Sequence, residues 1–471
     1  MSQLSDPSTA LHQLSARELG NAYAAKELSP VEVAGAVIQR VQEREPVLNA
    51  MYRFDPEDIL HQARRSEKRW TNGTERGVLD GVPATVKENV ARAGIPMPSG
   101  TALPNPKVPT RNAPITDRIL EAGAIILGST TMPDWGMLSS GVSSLHGISR
   151  SAWNPAWTTG GSSAGAGTAA AAGYGPLHVG TDIGGSIRLP GGWQGLATLK
   201  PSAGLIPLDA PYLGRAAGPL GRCVDDIALF MSILGQPDVR DYTARSYPAQ
   251  DWAGSLSGVA SLNIALHTEA NAGSAVQPEV LAAVQEVASL FAQAGATVQT
   301  LDPFITQEML DRLDRFWRTR SWADYRELSA ENQAKVLDYI VAWCAVGSTF
   351  DGADTIRNFG AIDQMQQATI AATSGFDLVI SPVSPMPAFP AEQPMPVVDP
   401  LATMSHIAFT VPYNMSGQPA ATVNCGFTSE GKPIGVQISG PVGADAAVLQ
   451  AARWYETHRP ASASPLWDTL D

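Results

Sequence analysis

The stretch Gly160–Arg188, GGSSAGAGTAAAAGYGPLHVGTDIGGSIR, leaves the chain little freedom in how it folds. Ser163 to Ala172 is small and apolar on every side, the pattern of a helix packed closely inside a protein. Gly173-Tyr174-Gly175-Pro176 stops that helix, and Leu177 to Gly180 reads as a short buried strand. A helix of ~11 residues rises ~16 Å. A strand of ~5 residues returns over about the same distance. The helix start and the strand end therefore meet at one edge of the fold. Ser162 and Ser186, each in a glycine-rich turn, sit at those two ends.

The rest of the chain reads as an α/β body. Val82 to Val86 is a strand with Lys87-Glu88-Asn89 at its carboxyl end, followed by a helix from Ile115 to Ala122 and an apolar strand from Ala124 to Leu127. The rhythm returns at 260–265, 278–295 and 296–301, with later strands at 377–381 and 422–426 and a last helix at 444–457. Such alternation predicts a largely parallel sheet, whose ligand sites lie outside the carboxyl ends of the strands, where Lys87 and Ser186 both fall. Upstream, Ser15-x-x-Glu18 and Ser29-x-x-Glu32 are capping boxes, and the second opens a helix expected to end near Glu45-Pro46. A further helix covers roughly 56–70. Residues 304–372 are helical in pattern and rich in aromatics, which fits an ordinary helical layer or a pocket wall. The proline-rich piece 382–400 borders the same cleft. With no internal repeat and no low-complexity linker, 1–471 reads as one domain: N-terminal helices in 1–75, a core in 79–230 and a variable region in 304–400.

Composition removes several classes of function. A net charge of −13 argues against a basic nucleic-acid-binding face. No run has the apolar length of a membrane span, and Met1 to Pro7 has no leader pattern. Cys223, Cys344 and Cys425 are widely spaced and odd in number, as expected of reduced thiols in a cytoplasmic protein. The seven histidines show no metal-binding spacing, so neither a metal nor another cofactor is expected.

Two motifs mislead. Gly161-Ser162-Ser163-Ala164-Gly165 matches the nucleophile elbow, but its lead-in is loop-like and contains Pro155, and no Asp/His pair follows. Gly165-Ala166-Gly167 echoes a dinucleotide loop without its strand or acidic partner. A better account takes Lys87, Ser162 and Ser186 together. A serine needs a base, and with no histidine in these motifs the base is a lysine, provided burial keeps its amine neutral.

With these residues the sequence resembles the amidase signature hydrolases. Gly81-Val82-Pro83 leading to Lys87-Glu88-Asn89, Gly160-Gly161-Ser162-Ser163, and Gly180-Thr181-Asp182-Ile183-Gly184-Gly185-Ser186-Ile187-Arg188 are similar to that family's three catalytic motifs. Leu199-Lys200-Pro201, Gly218-Pro219-Leu220 and Gly417-Gln418-Pro419-Ala420 resemble its downstream landmarks. The similarity runs from about residue 12 to about residue 457. It implies a large, mixed, mostly parallel sheet flanked by helices on both faces, with a helical region covering the substrate. It also implies Ser186 as acylated nucleophile, Ser162 as proton bridge after a cis peptide at Gly161, and Lys87 as general base. The N–H groups of Ile183, Gly184, Gly185 and Ser186 would form the oxyanion hole, braced by Asp182 and Arg188, and Ser163 is left as a helix-start residue.

The chain departs from the common motif wording at Ala164, at Gly191-Gly192-Trp193-Gln194 and at Thr198 to Ser202, which bears on substrate. Trp193 packs in the core or narrows the acyl pocket, and Met132 and Trp135 fall in a segment that lines the pocket in the family. The function implied is a stand-alone hydrolase of amides or aryl amides, and of carbamates or hydrazides, with esterase side activity. The aromatics of 304–372 and the lack of a charge-clamp signature favour a bulky, uncharged small-molecule substrate. A monomer or homodimer is expected, with no membrane or nucleic-acid partner. The alternative is the glutaminase subunit of a tRNA-dependent amidotransferase.

Overall fold

Runs such as Ile125–Thr130 and Leu177–Asp182, buried at every position, can satisfy their backbone groups only inside a sheet. The computed structural model describes residues 11–256 and 258–470, and Met1 to Pro7, read above as lacking a leader, lie outside them. Among the described residues eleven strands form one mixed sheet. In spatial order they are Met51–Phe54, Ile125–Thr130, Pro83–Lys87, Leu177–Asp182, Ala216–Gly221, Ala197–Lys200, Ala420–Phe427, Pro433–Ser439, Leu378–Pro382, Asn263–Leu266 and Thr297–Thr300.

Parallel pairing joins Ile125–Thr130, Pro83–Lys87 and Leu177–Asp182 on one side, and Leu378–Pro382, Asn263–Leu266 and Thr297–Thr300 on the other. Between these blocks the strands alternate in direction. Local strand–helix rhythm cannot show this, because the middle of the sheet is filled by strands distant in sequence.

Every residue of the helix Ala164–Ala172 is buried, and Gly173 closes it in the left-handed conformation at φ 80°. Its small side chains let it lie against the strand ends, where the Gly165 N–H donates to the Thr131 carbonyl at 3.0 Å. The capping boxes at Ser15 and Ser29 are both formed. The second helix does not stop near Glu45: it runs Pro30–Leu48 through Pro46. Pro46 lies in the last turn, where its missing N–H removes little of the remaining ladder.

Two apolar clusters hold the molecule. The larger joins the sheet to its helices, with Phe230, Phe291 and Tyr174 fully buried. The second gathers Leu189, Trp317, Trp343, Ile407 and Phe409 over one edge of the sheet. Each large apolar side chain buried in this way contributes roughly 1.5–3 kcal/mol. The second cluster roofs the edge at which Lys87 and Asp182 end their strands.

Candidate active site

Lys87 is the last residue of Pro83–Lys87, which lies between two parallel neighbours. Its side chain is fully buried, and its Nζ donates to Ser162 Oγ at 2.9 Å and to Ser163 Oγ at 3.1 Å. Burial strips the water that would stabilise an ammonium, so the amine sits well below its ordinary pKa of 10.5. The charge of Arg215 pushes the same way, and Glu88 and Asp182 oppose it. The balance of these effects favours the neutral amine with its lone pair.

The turn that presents the two serines has a cis peptide between Gly161 and Ser162. Ser163 is more than the helix-start residue expected from sequence. It makes no side-chain cap. Its hydroxyl accepts from Lys87, accepts from the Thr181 N–H at 3.2 Å and donates to the Thr181 carbonyl at 3.1 Å. This arrangement needs Gly180, since a Cβ there would stand 2.6 Å from Ser163 Oγ. Sequence reading missed this role because a serine before a helix has a ready meaning as a cap.

The loop after Leu177–Asp182 is wound around one carboxylate. Asp182 Oδ1 lies 2.9 Å from Arg188 Nη2, both side chains wholly buried, and the aspartate also accepts from the N–H groups of Gly185 (2.8 Å) and Ile187 (3.0 Å). Burial alone would raise the Asp182 pKa. The Arg188 charge and the hydrogen bonds override it and hold the carboxyl far below its usual range. Arg188 donates onward to the Thr410 carbonyl, Gln437 Oε1 and Asn414 Oδ1. Gly185 takes φ 126°, a conformation that a side chain would strain.

One expected oxyanion donor must be corrected. The Gly185 N–H is spent on Asp182. Those of Ile183, Gly184 and Ser186 have no acceptor among the described residues. The Ser186 carbonyl accepts from the Ser163 N–H at 3.1 Å, so the helix start stands directly against this loop.

Two connected lobes meet at Ser186. The larger, about 420 Å³, is bordered by Ser162, Ser186, Met132, Trp135, Arg215 and Arg320. The smaller, about 40 Å³, is bordered by Gly184, Ser186, Leu189, Trp317, Met395 and Met404. Among the described residues no hydrogen bond joins the Ser162 and Ser186 hydroxyls, although both face the larger lobe. Such links are often long without substrate and tighten when it binds.

A family model described as Amidase matches residues 32–449, and an acylamidase of Rhodococcus erythropolis is 33% identical over 460 residues, covering 96% of each chain. The chain belongs to the amidase signature family. It is a hydrolase of carbon–nitrogen bonds other than peptide bonds. A glutamyl-tRNA(Gln) amidotransferase subunit of Symbiobacterium thermophilum is 30% identical over 481 residues, covering 94% of this chain and 96% of its own. In fold this amidase is like a bacterial aryl acylamidase of the same family, with a TM-score of 0.88 at 24% identity and 98% and 99% of the two chains covered.

The pocket of this amidase decides between two pairs of alternatives that its sequence left open and adds one feature to them. Trp193 borders neither lobe: its ring is buried against Phe389 and its Nε1 donates to the Met386 carbonyl at 2.9 Å, which makes it a core residue. Of the eight aromatics singled out in 304–372, Trp317 alone borders the smaller lobe, and pairs such as Phe316–Phe359 and Trp322–Tyr325 pack elsewhere. The lining instead includes two arginines, Arg215 and Arg320, that sequence reading did not single out. Neither stands in a motif, and only the folded chain brings them together. Among the described residues no group of three or more His, Cys, Asp or Glu is placed to hold a metal, and no helix is long and apolar enough to cross a membrane.

Proposed function

We propose that this chain is a stand-alone amide hydrolase working through an acyl-enzyme on Ser186. The observation that carries the reading is a fully buried lysine amine in contact with Ser162, beside a loop with three N–H groups that have no acceptor among the described residues. In this reading Ser162 takes the proton of Ser186 and passes its own to Lys87 along the 2.9 Å contact. Ser186 Oγ adds to the amide carbon, and the N–H groups of Ile183, Gly184 and Ser186 stabilise the oxyanion. Ser162 returns a proton to the departing amine, and water then adds to the acyl-enzyme by the same relay, so amide and water give acid and amine.

Substrates are small-molecule amides or carbamates, with esters as a side activity. The 33% identity to an acylamidase, against 30% to a component of an amidotransferase, supports work without partner subunits, as monomer or homodimer. Three free cysteines, two of them buried, support a cytoplasmic setting.

A panel of anilide, carbamate and ester substrates, with a fluorophosphonate probe for Ser186, tests the assignment. Lys87→Ala and Ser186→Ala should lower kcat on the order of 10⁴-fold, and Ser162→Ala at least ~10²-fold. No turnover across the panel together with no labelling of Ser186, or a Ser186→Ala variant at near-normal rate, would overturn it.

A further inference from the structure

The two lobes beside Ser186 differ in chemistry, and the proton relay says which half of the substrate each receives. Ser162, which must hand a proton to the departing amine, borders only the larger lobe. Gly184, one of the N–H groups without an acceptor, borders only the smaller. On the acyl-enzyme reading above, the amine half of the substrate therefore lies in the larger lobe and the acyl half in the smaller. The smaller lobe, walled by Leu189, Trp317, Met395, Met404 and Ile407, is mostly apolar, with Arg320 on the border it shares with the larger lobe and Arg215 absent from it, and has room for little more than an acetyl group.

The larger lobe is basic. Its two carboxylates are already paired, Asp182 with Arg188 at 2.9 Å and Asp209 with Arg111 at 3.2 Å. Its cations, Arg215, Arg320 and Lys107 at the exposed rim, have no carboxylate partner among the described residues. Tyr212 braces both arginines. The Arg320 guanidinium lies 4.9 Å from its ring centre, and its carbonyl accepts from the backbone N–H of Arg215 at 2.9 Å. Burial and then the charge of Arg320 push Arg215 below its ordinary pKa, so the two guanidiniums are close enough to repel. Two like charges fixed on one wall are stabilised by an anion that both can reach.

We propose that this amidase selects substrates whose amine half carries a carboxylate or similar anion, held by Arg215 and Arg320, and whose acyl half is short and apolar. This replaces the uncharged substrate expected from sequence. It also disfavours glutamine, whose α-ammonium and α-carboxylate both sit on the acyl half and would have to enter the smaller, mostly apolar lobe.

The test compares kcat/KM for 4-acetamidobenzoate, acetanilide, succinanilate (carboxylate on the acyl half) and glutamine. Wild-type enzyme should prefer 4-acetamidobenzoate over acetanilide on the order of 10- to 100-fold and should turn over succinanilate and glutamine poorly. In Arg320→Met that ratio should fall at least ~10-fold. A measurement that needs no variant is inhibition of the wild type: 4-aminobenzoate should inhibit on the order of tenfold more tightly than aniline, with the gap narrowing as salt rises. Hydrolysis of acetanilide with Ser186 labelled but no anionic preference, or faster turnover of succinanilate or glutamine, would overturn this proposal and leave the amidase reading standing. No hydrolysis and no labelling would instead overturn the acyl-enzyme reading beneath it.

Discussion

Lys87 sets the pH behaviour expected of the enzyme. Only the unprotonated amine can take a proton, so kcat/KM should rise with pH and level off once Lys87 is neutral. Because burial places that titration well below 10.5, the plateau should be reached at a pH below that of an exposed lysine. Arg215 is the second cause of the lowered value, so Arg215→Met should make the ammonium easier to hold. The rising limb of the pH–rate profile on acetanilide should then move to higher pH, and an unmoved limb would contradict the electrostatic account. The same burial has a thermodynamic sign. An unfolded Lys87 binds a proton that the folded one does not, so the site costs stability below pH 10.5 and the cost shrinks as pH rises. The places of Ser162, Ser186 and Lys87 at two turns and a strand end were legible from sequence because such features carry local signals. The second partner of the lysine, Ser163, was not, since its hydroxyl is aimed by Gly180, seventeen residues away in the chain.

Among the elements, strands with continuous apolar runs were readable and those without them were not. Pro83–Lys87 and Leu378–Pro382 lie within a residue or two of their expected bounds. Ala216–Gly221, Ala-Ala-Gly-Pro-Leu-Gly, has the composition of a loop and becomes a strand only because two others flank it. The short helix Arg188–Trp193 shows the same limit for side chains: a tryptophan after two glycines fits a wall or a core equally well until Phe389 is seen against it. A core role predicts a specific outcome. Trp193→Leu should destabilise the protein by roughly 2–4 kcal/mol in chemical denaturation while KM for acetanilide changes less than ~2-fold. A large change in KM without loss of stability would return Trp193 to the pocket.

At the scale of the molecule, the Asp182–Arg188 pair ties the nucleophile loop to the opposite half of the sheet. Removing one member leaves the other charge buried without its partner, so Asp182→Asn should cost about 3–5 kcal/mol. In the wild type the Asp182 pKa is held below its unfolded value. The pair's contribution is therefore complete above the usual carboxylate range and is lost as pH falls through the folded pKa. Denaturation midpoints measured from about pH 7 downward should fall for the wild type in acid and stay flatter for Asp182→Asn.

The reach of Arg188 has a consequence in time. Its guanidinium bonds to Thr410, Asn414 and Gln437, up to 249 residues further along the chain. A ribosome that has already delivered Lys87, both serines of the turn and Ser186 has not yet delivered the groups that hold their loop in shape. The nascent chain thus emerges with its reactive residues present and unassembled, and the enzyme becomes competent only when its last strands are in place.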